Sequence, residues 1–474
     1  MEPMDRVNVM GGFLWRRHLP KVLKLPAGIG GHKCAALTAA AALACIGTPV
    51  SAQINPYAQT AAIGPGDNDD NPLRAPTAVP GLTGYSRGLS IDASIASRYD
   101  SNLTRRPIAD AGFRVRPQVG IDYGLGLGRG GLFVQGNYGR DFIFGSSAIR
   151  PSDRLMLGGG VDFQLSRCTG QTGGSWRRGL TFVTDASQFG GFSQEIATAG
   201  FAAQCRVGNA LSINGSVLRS DIKSVRDSAG AQSLSGAFDL QRWSYSAGLG
   251  FGTQALGQFS LGGSISDSRM PGRLVLTPTG LIEDGLGQRS ARFGYSRRFG
   301  AKINLSAGLS YIDTQPNTTL SVIVIDGVPQ IVDRPGFKGL GYDVALDVNL
   351  TPRFGLSATA IRNTMANGFV GAQFTIANSY AAQIDYRLGS RYTVAAGINT
   401  RKSEYRGAFT SALDPLRRIS DDFTRVYGQF GGRLGRRLRF ALDVAYSKRR
   451  SDPNLLNFDS TSVGLTIGYQ LGRG

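Results

Sequence analysis

The chain has 474 residues, and 52 Lys/Arg against 33 Asp/Glu give it a formal charge of +19. Its 66 glycines are about twice the usual ~7% share and follow no G-X-Y period, which excludes a collagen-like chain. Past residue 52 no apolar run approaches the ~18–20 residues of a spanning helix, and charged residues, at 18%, fall below the ~25% of a soluble surface. A helical membrane protein is excluded, leaving an all-β protein, soluble or membrane-embedded.

In chain order, residues 1–52 read as a secretory signal peptide. A basic stretch (Arg16, Arg17, Lys21, Lys24, Lys33) precedes an apolar run from Cys34 to Val50, which ends in Val50-Ser51-Ala52 before Gln53. Six of the Lys/Arg and two of the Asp/Glu leave with it, so the mature charge falls to +15. Both histidines, His18 and His32, leave as well. Residues 53–87 are rich in Pro, Gly, Asn and Asp with no apolar period, as in a flexible periplasmic arm or linker.

From residue 88 the hydropathy period is two nearly everywhere. Leu155/Leu157/Gly159/Val161/Phe163/Leu165, Ile303/Leu305/Ala307/Leu309/Tyr311 and Leu340/Tyr342/Val344/Leu346/Val348 alternate with Gly, Ser, Asn, Asp and Arg. Such alternation gives each strand one apolar and one polar face. Connections alternate too. Short ones lie at Gly124–Gly131, Thr253–Gln258, Arg297–Lys302, Thr351–Phe354, Gly389–Arg391 and Gly435–Arg437. Long polar ones lie at Asp221–Gly236, Asp267–Gly287, Asp313–Gly336, Arg362–Ser379, Arg401–Asp422 and Lys448–Ser460.

Sandwiches and propellers do not usually alternate short and long connections along a whole chain, whereas outer-membrane barrels do. Residues 88–474 are therefore expected to form an all-β, transmembrane, antiparallel up-and-down outer-membrane β-barrel of a Gram-negative cell. The expected count is about 18 strands, with 16 as the fallback. Phe299, Phe354, Tyr386, Tyr392 and Phe440 fall near strand ends, where aromatic girdles belong. The last strand carries Val463, Leu465, Ile467, Tyr469 and Leu471 in alternation and resembles a barrel-insertion signal, ending in Gly-Arg-Gly instead of the usual aromatic residue. It makes the barrel assembly machinery an expected partner.

Leu89-Ser90-Ile91-Asp92-Ala93-Ser94-Ile95, leading into Tyr99-Asp100-Ser101-Asn102-Leu103, resembles the entry strand of the β-barrel porin 2 family of outer-membrane proteins. Phe113-Arg114-Val115-Arg116-Pro117-Gln118-Val119 is similar to that family's second strand. Some similar barrels are encoded beside polysaccharide copolymerases and export proteins. The resemblance implies a porin-like pore that serves surface or exopolysaccharide export, or else a plugged barrel that docks polysaccharide export proteins.

Two motifs reduce to bland readings. Gly126-Leu127-Gly128-Arg129-Gly130-Gly131 matches a dinucleotide fingerprint, but a strand follows where a helix is required, so it is a hairpin turn. Gly84-Tyr85-Ser86-Arg87-Gly88 matches a hydrolase elbow, yet the mature chain has no histidine to take the serine proton. No catalysis, cofactor or metal is expected, since the usual zinc sets also need histidine. Nucleic acid is not an expected partner, because the basic residues are scattered and a barrel face stacks no bases.

The basic residues of the mature chain are arginines except for Lys223, Lys302, Lys338, Lys402 and Lys448. Loop arginines such as Arg105, Arg106, Arg417, Arg418, Arg449 and Arg450 could pair with phosphates of outer-membrane lipid and lipopolysaccharide. In phase with the polar face stand Arg114, Arg116, Gln118, Arg292, Arg425, Gln429 and Arg433, with Asp343, Asp347, Asp385 and Asp443 of opposite sign. Two readings stay open: a salt-bridge lattice that stabilises a wide lumen, or a basic constriction that favours anions.

Cys168 and Cys205 remain in a compartment that permits disulfides, and two free thiols are equally compatible with the count. A bridge is expected at the periplasmic rim. With Cys168–Arg178 taken as a connection, a strand lies between the two cysteines. Two strand steps span nearly 10 Å, beyond the ~7 Å Cα limit, so that connection would have to fold over the intervening strand.

Overall fold

The computed structural model describes residues 88–472 apart from 106, 147–150, 182–191, 226–238, 254, 326–327, 367–371, 407–418, 453 and 455–456. The expected signal peptide and arm lie outside the described residues. The strands are β1 (Gly88–Asp100), β2 (Gly112–Gly126), β3 (Gly130–Phe144), β4 (Ser152–Leu165), β5 (Cys168–Thr181), β6 (Phe192–Val207) and β7 (Leu211–Val225). They continue with β8 (Leu240–Thr253), β9 (Gly257–Thr277), β10 (Gly280–Phe299), β11 (Ile303–Pro316), β12 (Leu320–Ile325), β13 (Val328–Asp333) and β14 (Phe337–Asn349). The last are β15 (Phe354–Ala366), β16 (Phe374–Leu388), β17 (Tyr392–Arg406), β18 (Ser420–Arg433), β19 (Leu438–Asp452) and β20 (Phe458–Gly472).

Eighteen of these strands make one antiparallel sheet, while β12 and β13 form a separate hairpin between β11 and β14. The sheet closes because β20 pairs back with β1, with Ile467 opposite Ile95 and Tyr469 opposite Ala93. Closure leaves no open edge, the condition for strands to cross a bilayer.

The phase of each strand decides which residues meet lipid. On β20, Val463, Leu465, Ile467, Tyr469 and Leu471 are all 40–47% exposed, while the alternating Ser460, Ser462 and Thr466 are 2–4% exposed. The same split recurs on β8, where Trp243, Tyr245, Leu249 and Phe251 point out and Ser244, Ser246 and Gly248 point in. Near the short turns, the rings of Tyr392, Phe430 and Phe440 pack at centroid distances of 5.5–6.3 Å. An even-stranded closed barrel with an apolar outer band and aromatic girdle is an outer-membrane architecture, and the chain is an outer-membrane protein on that ground.

The sequence-level fingerprint at Gly126–Gly131 is the β2–β3 turn. Leu127 N donates to Gly130 O at 2.8 Å, and Gly128 takes a φ of +61°, which glycine adopts without strain.

Strands run on into the expected long connections at Arg362–Ser379, Arg401–Asp422 and Lys448–Ser460, and three further expectations differ in kind. Cys168–Arg178 is strand β5, not a connection. Its Gly170, Gly173, Gly174 and Gly179 break the apolar alternation, and it is ordered by full ladders to β4 and β6. Asp267–Gly287 is likewise no long loop, because β9 and β10 continue to a tight turn between Thr277 and Gly280, past a register shift at Glu283/Asp284. Asp313–Gly336 contains the β12–β13 hairpin.

With β5 in place, Cys168 and Cys205 stand directly opposite each other on adjacent strands, Cα atoms 4.0 Å apart and sulfurs joined. No strand intervenes, and nothing has to fold over one. The bridge lies at the short-turn end. There the Phe163 ring crosses Gly170, leaving no room for a Cβ, and stacks with Phe201 at 6.0 Å.

Candidate functional site in the barrel lumen

On β2 the lipid-facing set Phe113, Val115, Val119, Ile121 and Tyr123 forces the alternate residues inward. Arg114 and Arg116 accordingly lie in the lumen, 4% and 3% exposed, with Gln118 in the same phase. They meet Asp141, the lumen residue of β3 between Arg140 and Phe142. Arg116 Nε donates to Asp141 Oδ1 at 2.6 Å, Arg154 Nε of β4 donates to Oδ2 at 2.7 Å, and Arg114 Nε stands 4.0 Å from Oδ1. Three guanidinium groups thus converge on one carboxylate.

Arg425, Gln429 and Arg433 share the inward phase of β18, opposite the outward Val426 and Phe430. Beside them, Arg449 of β19 donates to Asp421, which also accepts from Tyr405 Oη at 2.6 Å. Arg98 of β1 donates to Asp443 of β19 at 2.7 Å, and Arg439 of β19 donates to Gln470 of β20.

Arg292 is elsewhere. It sits on β10, nearly half the circumference from β2, and makes a two-pronged pair with Asp343 of β14 at 2.9 and 2.6 Å. The residues singled out from sequence therefore do not form one ring. Arg114 with Arg116, and Arg425 with Gln429 and Arg433, belong to one side of the barrel; Arg292 belongs to the other. Arg98, Asp141 and Arg154 were not singled out, although their phase on β1, β3 and β4 is readable.

A second cluster lies at the long-loop end. Asp284, 1% exposed, accepts from Arg273 Nε at 2.5 Å, from Arg334 Nη2 at 2.6 Å and from Gln373 Nε2 at 3.3 Å. Arg273 Nη1 also donates to Ala372 O at 3.0 Å, and Gln373 Nε2 to Gly285 O at 2.7 Å. One carboxylate thus ties together the β9–β10 extension, the residue after β13 and the start of β16.

That tie explains the path of the β15–β16 end. β15 parts from β14 after the pair Tyr342–Arg362 but stays paired with β16. Beyond that point Thr364, Phe374 and Ile376 have the outward phase yet are buried, as are the alternate Gln373, Thr375 and Ala377. Their partners are lumen-phase residues of the facing wall: Thr364 Oγ1 accepts from Gln288 at 3.0 Å and meets Thr314 Oγ1 at 3.1 Å, while Phe374 and Ile376 pack on Leu286. The described ends of β15 and β16, flanking residues 367–371, are thus folded inward against the β10–β11 wall at the mouth of the barrel and narrow it.

No family model matches the chain, and no curated protein matches it. Among solved structures, it is similar to a BenF-like porin from Pseudomonas fluorescens Pf-5 at 11% identity, covering 82% of this chain and 100% of that one, with a TM-score of 0.44. It is similar to Pseudomonas aeruginosa OpdK with vanillate at 14% identity, covering 82% and 100%, with a TM-score of 0.43. The FrpB iron transporter from Neisseria meningitidis gives 10% identity, 82% of each chain and a TM-score of 0.43.

Proposed function

We propose that the barrel is a non-enzymatic transport pore that favours anions. The observation that carries this reading is the convergence of Arg114, Arg116 and Arg154 on the single carboxylate of Asp141 inside the lumen. Charges fixed along a narrow polar path set ion selectivity, because the low-dielectric barrel wall screens them less than water does. Arg425, Gln429 and Arg433 extend the same polar side around to β18. The resemblance of β1 and β2 to the β-barrel porin 2 family adds surface or exopolysaccharide as cargo. It also adds export proteins as partners at the periplasmic turns. Arg449 and Arg450, expected in a loop, lie on β19, and Arg449 is buried against Asp421. In this reading exposed arginines of the long-loop end such as Arg450 meet lipopolysaccharide phosphates, and the β20 row Val463–Leu471 serves the assembly machinery.

The folded-in β15–β16 end favours a second reading, a plugged barrel that serves assembly or docking. Single-channel recording in planar bilayers separates the two. Steady current that reverses on the chloride side in a salt gradient supports the pore, and absence of steady current supports the plug.

A further inference from the structure

One stretch of the lumen is built differently from the arginine-rich side. On β7 to β10, Ser216 pairs with Ser246, Ser246 with Ser264, and Ser264 with Ser290, one unbroken row of hydroxyls across four strands. At ~4.8 Å per strand the row is ~14 Å long. Ser216 and Ser246 share a hydrogen bond at 2.7 Å, and Ser264 and Ser290 share one at 2.8 Å. Each such pair keeps one O–H and several lone pairs for a third partner. Toward the short turns the next row runs Asn214, Gly248, Gly262 and Arg292, so that only the two central serines stand above glycines, with the Asn214 amide beside Gly248 and Arg292 held by Asp343.

A cation stands just above the row. Arg242 of β8 donates through Nη2 to Ser266 Oγ at 3.2 Å, which places its guanidinium one side-chain row, ~7 Å along the strand, from Ser264. Its Nε is shielded from solvent and meets no acceptor among the described residues. No carboxylate of the described residues lies within ion-pair distance of it. The Arg242 Nη1 likewise meets no acceptor among the described residues but is not shielded, so an oxygen ligand in the lumen can reach it.

We infer that the β7–β10 wall is a binding subsite for a polyhydroxylated carboxylic acid, that is, an acidic sugar. Arg242 receives the carboxylate, for which a guanidinium offers charge-assisted hydrogen bonds. The four serines exchange hydrogen bonds with successive sugar hydroxyls, which are donors and acceptors at once, as the serines are. A simple inorganic anion would use the arginine and leave the serines to water, whereas a neutral sugar would use the serines and leave Arg242 without its acceptor. The inference rests on the anion-attracting lumen proposed above and names the ligand class for it.

The test uses the full chain in a sugar-free zwitterionic detergent and ligand-observed NMR. The probes are glucuronate, a galacturonate trimer, glucose and cyclohexanesulfonate, the last a charged ring without hydroxyls. Glucuronate or the trimer is expected to bind about tenfold more tightly than glucose or the sulfonate. Binding of both assigns single sugar acids, and binding of the trimer alone assigns an acidic polymer. Arg242→Gln should lower acid binding about tenfold. Replacing all four row serines by Ala should bring glucuronate down to the level of the sulfonate, and replacing them by Thr should preserve the difference. Heat-modifiability on gels certifies that each variant is folded. Equal binding of glucuronate and sulfonate, or unchanged glucuronate binding by the folded four-alanine barrel, overturns the inference. Because the readout is binding, it stands or falls separately from the pore: a barrel that binds glucuronate through these residues but shows no anion preference refutes the pore reading alone.

Discussion

Two sides of one lumen are made from the same ladder and behave as different materials. Around an 18-stranded ring, β7 to β11 face β18, β19, β20, β1 and β2. The second side carries Arg425, Arg433, Arg439, Arg449, Arg98, Arg114 and Arg116 together with Asp421 and Asp443. The first carries the serine row and glycines, with Arg242 above them and Arg292 neutralised by Asp343. Their lipid-facing residues hardly differ: Leu249, Leu261 and Phe293 on one side, Leu442, Leu465 and Ile121 on the other. The membrane constrains one face of every strand to be apolar and leaves the other free. Differences among the free faces are therefore where the chemistry of this barrel is written.

The sharpest way to break the comparison is to remove, for each side, the neighbouring carboxylate that its arginines bind: Asp141 on β3 for Arg114 and Arg116, Asp343 on β14 for Arg292. Asp141→Asn leaves two buried guanidinium groups and a partly buried third without their counter-charge and should cost about 3–5 kcal/mol. Asp343→Asn removes a pair whose side chains are 32% and 38% exposed, and should cost no more than about 1 kcal/mol. Comparing the temperatures at which the two variants lose heat-modifiable mobility on gels checks this; equal losses would contradict the asymmetry.

Next in size is the lipid face. Leu465→Arg puts a charge into the apolar band and should cost about 2–4 kcal/mol and reduce the amount recovered in the outer membrane. Gln429→Arg, on the lumen face, should assemble at close to the normal level. The mouth offers a third probe. Asp284→Ala unties Arg273, Arg334 and Gln373, so the β15–β16 end should loosen and single-channel conductance should rise. A Leu286→Cys/Phe374→Cys pair, oxidised in that background, should lower it again. The smallest effect belongs to the serine wall: Ser264→Ala removes one hydroxyl–hydroxyl bond and should cost about 1 kcal/mol by denaturant titration.

The barrel was legible because its outward residues repeat with period two, from Leu89 on β1 to Leu471 on β20. What escaped has specific causes. β5 has glycines where an outward apolar set would stand, so Cys168–Arg178 read as a connection and the two cysteines looked a strand too far apart. The β9–β10 extension was hidden by the register shift at Glu283/Asp284, which also removed Asp284 from any readable phase. The lumen arginines could be placed from phase alone, but their partners could not. Asp141 pairs with residues 25 positions upstream and 13 downstream because β2, β3 and β4 are neighbours, a fact of space. The serine row shows the same limit: Ser216, Ser246, Ser264 and Ser290 are each in lumen phase in the sequence, and only the pairing of four strands sets them side by side.

The central claim is that arginines on one side of the lumen set the selectivity of a conducting pore. The reversal potential of Arg114→Gln/Arg116→Gln/Arg425→Gln in a KCl gradient, measured against the unsubstituted barrel, tests it most directly. A potential on the chloride side for the unsubstituted protein, shifted toward zero in a triple variant that still conducts, is the predicted result. An unchanged reversal potential at normal conductance would contradict it and leave these arginines as a structural lattice.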